Sequence, residues 1–131
     1  MPRRLFILCE KYEKELEEVH NLCIFAKKHS ILIEFPVDPG WDFYKLLEES
    51  IEKSDAMVVI VSEELIGATW SNHCLHYANT LKCSRFSPRP RIFGLRINNV
   101  DLPRCSEQIE IEWINKPEDF KLILDDLSQK Y

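Results

Sequence analysis

Apolar and polar positions fall into short blocks along this chain, and each block carries its own period. Arg4-Leu5-Phe6-Ile7-Leu8-Cys9 is an apolar run edged by charge and predicts a buried strand. From Tyr12 to His29, the positions Tyr12, Leu16, Val19, Leu22, Cys23 and Ala26 recur at helical spacing, with Glu and Lys between them. Acids crowd the first half of that stretch and Lys27, Lys28 and His29 its end, which suits the helix dipole. Ser30 breaks the pattern, and Ile31 to Phe35 predicts a second strand. Pro36-Val37-Asp38-Pro39-Gly40 must turn, because two prolines and a glycine cannot extend a strand. Asp42 to Lys53 predicts an amphipathic helix with Phe43, Leu46, Leu47 and Ile51 on its inner side.

Ala56 to Val61 is apolar at every position, which predicts a strand covered on both faces, as in a parallel sheet. Ser62-Glu63-Glu64-Leu65 is suited to cap and open a short helix. A longer helix is expected over 70–81, and Ser84 to Pro90 reads as a loop. Arg91 to Ile97 predicts a fourth strand, and Asn98 to Ser106 a loop. Ile109 to Trp113 alternates like a half-exposed edge strand, which sets Trp113 against the last helix, Pro117 to Leu127. Strands and helices therefore alternate, which predicts an α/β fold with helices on both faces of a parallel sheet. Right-handed crossovers favour a flavodoxin-like three-layer sandwich with five strands in the order 2-1-3-4-5.

Length and composition narrow the class. The 131 residues suit one domain spanning 1–131. With 45% hydrophobic and 30% charged residues the chain is not of the disordered type. The net charge of −5 argues against generic nucleic-acid binding, and no apolar run approaches membrane-spanning length. No secretory signal is visible. The three glycines, Gly40, Gly67 and Gly94, cannot build a phosphate-cradling loop of the GxGxxG or GxxxxGK[ST] kind. Five scattered cysteines, without a CxxC pair, suggest free thiols and a reducing, cytoplasmic location.

In a sheet of this order, ligands sit beyond the carboxyl ends of the strands. Those ends carry Cys9, Glu10 and Lys11, then Pro36 to Trp41, then Ser62 and Glu63, then Asn98 and Asn99, with Trp70 opening a helix on the same rim. Acids, a serine and two tryptophans suit a polar aromatic ligand. His73, His76 and Cys83 share roughly one helical face, but their spacing is not that of a zinc site, and no metal is expected. Cys74 and His76 stand two apart on a helix, so they do not form a nucleophile pair.

The stretch Pro39 to Tyr77 resembles the Toll/interleukin-1 receptor (TIR) domain, of bacterial type. The residues that carry the resemblance are Pro39-Gly40, the helix end Ser50-Ile51-Glu52-Lys53-Ser54-Asp55, the strand Met57 to Ser62 and Trp70. Arg91 to Ile97, Val100-Asp101-Leu102-Pro103, Ile109 to Trp113 and the last helix continue it. The resemblance implies the same flavodoxin-like fold. It implies work in immune or antiviral signalling through TIR–TIR self-association, with the loop around Pro36, Pro39, Gly40 and Trp41 as contact surface.

It also implies an NAD-like nucleotide as ligand or substrate, rather than a tightly held cofactor, near Cys9, Glu10, Asp38, Trp41, Ser62, Glu63 and Trp70. Family members that cleave or cyclise NAD place a Glu four residues after the tryptophan, against the developing ribosyl cation. Here that position is Cys74. A thiol carries no fixed negative charge near neutrality. Three alternatives stand open: association with nucleotide binding, NAD cleavage using another carboxylate such as Glu10, Asp38 or Glu63, and a nucleoside deoxyribosyltransferase-like reaction.

Overall fold

The structure is a computed structural model, and it describes residues 3–9, 17–36, 43–62, 65, 69–85, 90–96, 111–114 and 117–128. Five strands are present in the described residues: β1 (Arg4–Leu8), β2 (Leu32–Glu34), β3 (Ala56–Val61), β4 (Arg91–Arg96) and β5 (Glu112–Ile114). Between and after them run α1 (Glu17–Lys28), α2 (Phe43–Lys53), α3 (Thr69–Arg85) and α4 (Phe120–Ser128). A 3₁₀ turn over Pro117–Asp119 leads into α4. All neighbouring strands pair in parallel, in the order β2-β1-β3-β4-β5. This is the flavodoxin-like α/β arrangement that the alternation of periods predicts.

The pleat divides the apolar residues between two layers. On one face Leu5, Ile7, Val58, Ile60, Phe93, Leu95 and Ile114 meet Val19, Leu22 and Ala26 of α1 and Phe120 and Ile123 of α4. The ring of Phe25 bridges the two helices, 5.5 Å from Phe120. On the other face Phe6, Leu8, Met57, Val59, Val61 and Ile92 meet Leu47 and Ile51 of α2 and Cys74, Leu75 and Ala78 of α3. Every residue of β3 is buried, because β3 is the strand covered on both faces and flanked on both edges.

Local hydrogen bonds explain where elements stop. The Ser54 hydroxyl donates to the carbonyls of Ser50 (3.0 Å) and Ile51 (2.8 Å), closing the end of α2. Asp55 then locks β3 to β1: its carboxylate accepts from the Arg4 amide at 2.8 Å, and its own amide donates to the Arg4 carbonyl at 2.9 Å. The Ser54-Asp55 pair thus has a structural duty in this fold. At the end of α1, Ser30 adopts φ 57°, the Ser30 amide donates to Lys27 and the Ile31 amide to Ala26. This is a Schellman stop, with Ile31 turned into the core.

Several expectations need correction. β2 is shorter than Ile31 to Phe35, at three residues. α3 runs beyond 81, to Arg85. The last segment starts as a 3₁₀ turn and becomes α-helical only at Phe120. Leu46 is exposed, not inward, because Leu47 and Ile51, one turn apart, form the inner row of α2 and Leu46 lies beside it. Trp113 does not face the last helix. It pairs with Gly94 and packs on the α2–α3 side of the sheet. A Cβ on Gly94 would stand 2.7 Å from the Trp113 ring, so only glycine lets the indole lie across β4. The expected starts of α1, before Glu17, and of β5, before Ile111, lie outside the described residues.

Candidate functional site

Cys74 lies in the first half of α3 with no solvent exposure, within the apolar layer under α2 and α3. Burial, with the Glu48 carboxylate nearby as a second cause, pushes its thiol up to about 12. The side chain is therefore a neutral thiol at any physiological pH. It packs as a small hydrophobe, as free cysteines often do.

Polar groups line the seam between α2 and α3 just outside that thiol. The Glu48 carboxylate lies 3.1 Å from Nε2 of His73. One turn further along both helices, the Tyr77 hydroxyl donates to the Glu52 carboxylate. The His73 and Tyr77 rings are nearly parallel, at 5°, with centroids 6.3 Å apart. These are two rungs of one ladder, each joining residues at i and i+4 on both helices. Neither Glu48 nor Glu52 is a candidate site residue on the sequence alone. No local pattern joins them to residues 25 positions away.

The other predicted site residues separate. Cys9 follows β1 and is buried in the layer under α1 and α4, across the sheet from Cys74. Ser62 ends β3; it is buried, and its Oγ accepts from the Leu65 amide at 3.3 Å, a helix-capping bond. That bond agrees with the expected cap at Ser62. Pro36 is half-buried just beyond β2. Trp70 occupies the first turn of α3, four residues before Cys74. Glu10, Asp38, Pro39, Gly40, Trp41 and Glu63 lie outside the described residues.

No family model matches this chain, and no curated protein matches it in sequence. What the structure establishes is the flavodoxin-like sheet and the position of the residues above upon it.

Among the described residues, no group of three or more His, Cys, Asp or Glu side chains could hold a metal ion. His73, with His76 one turn away on α3, faces Glu48 in the ladder. Cys9, Cys23 and Cys74 form no disulfide. Partial burial raises the Cys23 thiol as well, so neither Cys23 nor Cys74 is activated as a nucleophile. Among the described residues, no helix is long and apolar enough to cross a membrane.

Proposed function

We propose that this chain is a TIR-type domain of an immune or antiviral signalling protein that works by self-association, and that it binds a nucleotide of the NAD kind at the carboxyl rim without turning it over. The observation that carries this reading is the state of Cys74. The resemblance assigns that position to a carboxylate, and this chain has a buried, neutral thiol there. A neutral thiol sealed in the core offers a ribosyl cation at the rim no electrostatic stabilisation, which is usually the largest catalytic contribution. The fold and the order of the motif residues support the TIR reading, and association remains as the work such a domain does without the acid. The loop with Pro36, Pro39, Gly40 and Trp41 is the proposed contact surface. Its prolines restrict the backbone, and tryptophan is enriched at interface centres.

Two measurements test this. Incubation of concentrated protein with NAD, followed by chromatography, should return the dinucleotide intact. Sedimentation should show association that rises with concentration and weakens in Trp41→Ala without loss of thermal stability. Steady release of nicotinamide would overturn the non-catalytic reading. Unchanged association in Trp41→Ala would remove the loop from the interface.

One observation favours a second reading, NAD cleavage by another carboxylate. Glu48 approaches the Cys74 turn from α2 and is held there by His73. If nicotinamide is released, Glu48→Gln should abolish the release.

A further inference from the structure

Three arginines mark the strands, and two of them meet carboxylates. Arg4 on β1 lies 3.4 Å from Glu34 on β2, and Arg91 at the start of β4 pairs with Glu112 on β5. Arg96, at the carboxyl end of β4, meets no carboxylate among the described residues. Its guanidinium carbon lies 4.1 Å from the centroid of the Trp113 ring. Arg96 is exposed, and Trp113 is half-buried over Gly94.

From this geometry we infer that Arg96, held over the face of Trp113, is the phosphate-receiving residue for a nucleotide bound along the carboxyl rim. The inference rests on the nucleotide-binding part of the reading above. A guanidinium stacked on an indole is restrained in orientation, while the donors on its edge stay free for two oxygens of one phosphate. Little ordering entropy is then lost when an oxyanion arrives. The stack is also built from the backbone up, because the missing Cβ of Gly94 is what lets Trp113 lie across the strand.

Position and charge agree with this role. β4 stands beside β3 and two strands from β1 in the sheet, so Arg96 lies roughly 5–10 Å across the rim from the switch in strand order between β1 and β3. That separation is of the order of the distance from a ribose to the far end of a diphosphate. The chain carries a net charge of −5, so an anionic ligand needs a local cation.

The test uses adenosine, ADP and inorganic pyrophosphate as probes, with titration calorimetry on the intact chain. ADP should bind more tightly than adenosine, and pyrophosphate should compete with it. Arg96→Ala should weaken ADP by ~10-fold or more and leave adenosine unchanged, as expected for a charge-assisted contact. Arg96→Lys should fall between, since it keeps the charge and loses the fork. Thermal unfolding of both variants should match wild type, because an exposed stack adds little stability. Equal ADP affinity in wild type and Arg96→Ala would overturn the assignment while leaving nucleotide binding standing. Absence of binding by both ADP and adenosine in wild type would overturn both.

Discussion

The two faces of the sheet are built differently. The face under α1 and α4 is closed by aliphatic and aromatic contacts, with Phe25 set between His29 and Phe120. The face under α2 and α3 has an equally apolar floor, yet its helices are joined outside by the Glu48–His73 and Glu52–Tyr77 rungs. Arg96 and Trp113 sit on that same side, at the end of β4. The first face needs nothing beyond burial to explain it. The second face also carries Glu48, His73 and Arg96, polar and charged groups that burial alone does not explain. In this fold the two tasks are separated by the thickness of one sheet.

The largest effect expected from breaking this comparison is at Cys74. The resemblance suggests Cys74→Glu as a way to restore a carboxylate. The structure makes that substitution costly, because the side chain sits without exposure among Leu47, Ile51, Leu75 and Ala78, close to the Glu48 charge. Burying an unpaired carboxylate beside another acid should destabilise the domain by roughly 4 kcal/mol or more. Cys74→Ala, which removes one sulfur, should cost about 1–2 kcal/mol. Chemical denaturation of the two variants checks this ordering. A stable, well-folded Cys74→Glu would mean that the α2–α3 seam opens to solvent far more readily than its packing implies.

The same thiol makes the packing under α2 and α3 sensitive to alkali. Its folded pKa of about 12 lies above the ordinary 9.0, so the folded state holds the proton more tightly. The associated stability is fully present below pH 9 and is lost as pH rises toward 12. The slope is at most about 1.4 kcal/mol per pH unit, so the loss at pH 10.5 approaches 2 kcal/mol. Other groups titrate in that range, and the comparison with Cys74→Ala removes their share. The difference in unfolding free energy between wild type and Cys74→Ala should therefore shrink from pH 8 to pH 10.5. A constant difference would place the thiol in contact with water.

Much of this architecture is legible from local pattern, and the exceptions share a cause. Continuous apolar runs mark β1, β3 and β4, because each strand is buried along nearly its full length. The five-strand order follows from alternation and crossover handedness alone. Trp113 lies on the opposite face from the one its strand pattern suggests, because alternation fixes which residues share a face and leaves open which layer that face meets. Gly94, a glycine inside a strand, was the available signal that another group approaches closely. The ladder between α2 and α3 had no such signal, since glutamates on a helix read as a solvated face until a second helix is laid beside them. Of the candidate site, Ser62 is legible as a cap and Cys74 as a packed small side chain, whereas the Glu48 charge beside Cys74 depends on how α2 and α3 are laid together.

The smallest predicted effect lies on the plainer face and has the opposite sign. Ser30 closes α1 in the left-handed region, at φ 57°, where a β-carbon crowds the following carbonyl. The Schellman bonds from Ser30 to Lys27 and from Ile31 to Ala26 hold it there, and buried Ile31 anchors the turn. Glycine adopts this conformation without steric cost. Against that gain, glycine widens the conformational freedom of the unfolded chain, which takes back part of the benefit. The two terms leave Ser30→Gly more stable by up to about 1 kcal/mol, a rise of several degrees in thermal midpoint for a domain of this size. Because the turn joins α1 to β2, far from Glu48 and His73 in sequence and on the other helix layer, the gain should add independently to any change made at Cys74. A Ser30→Gly/Cys74→Ala double variant whose stability departs from the sum of the singles would show that the two faces are coupled through the sheet. A destabilised Ser30→Gly would mean that the serine hydroxyl makes a contact worth more than the strain it relieves.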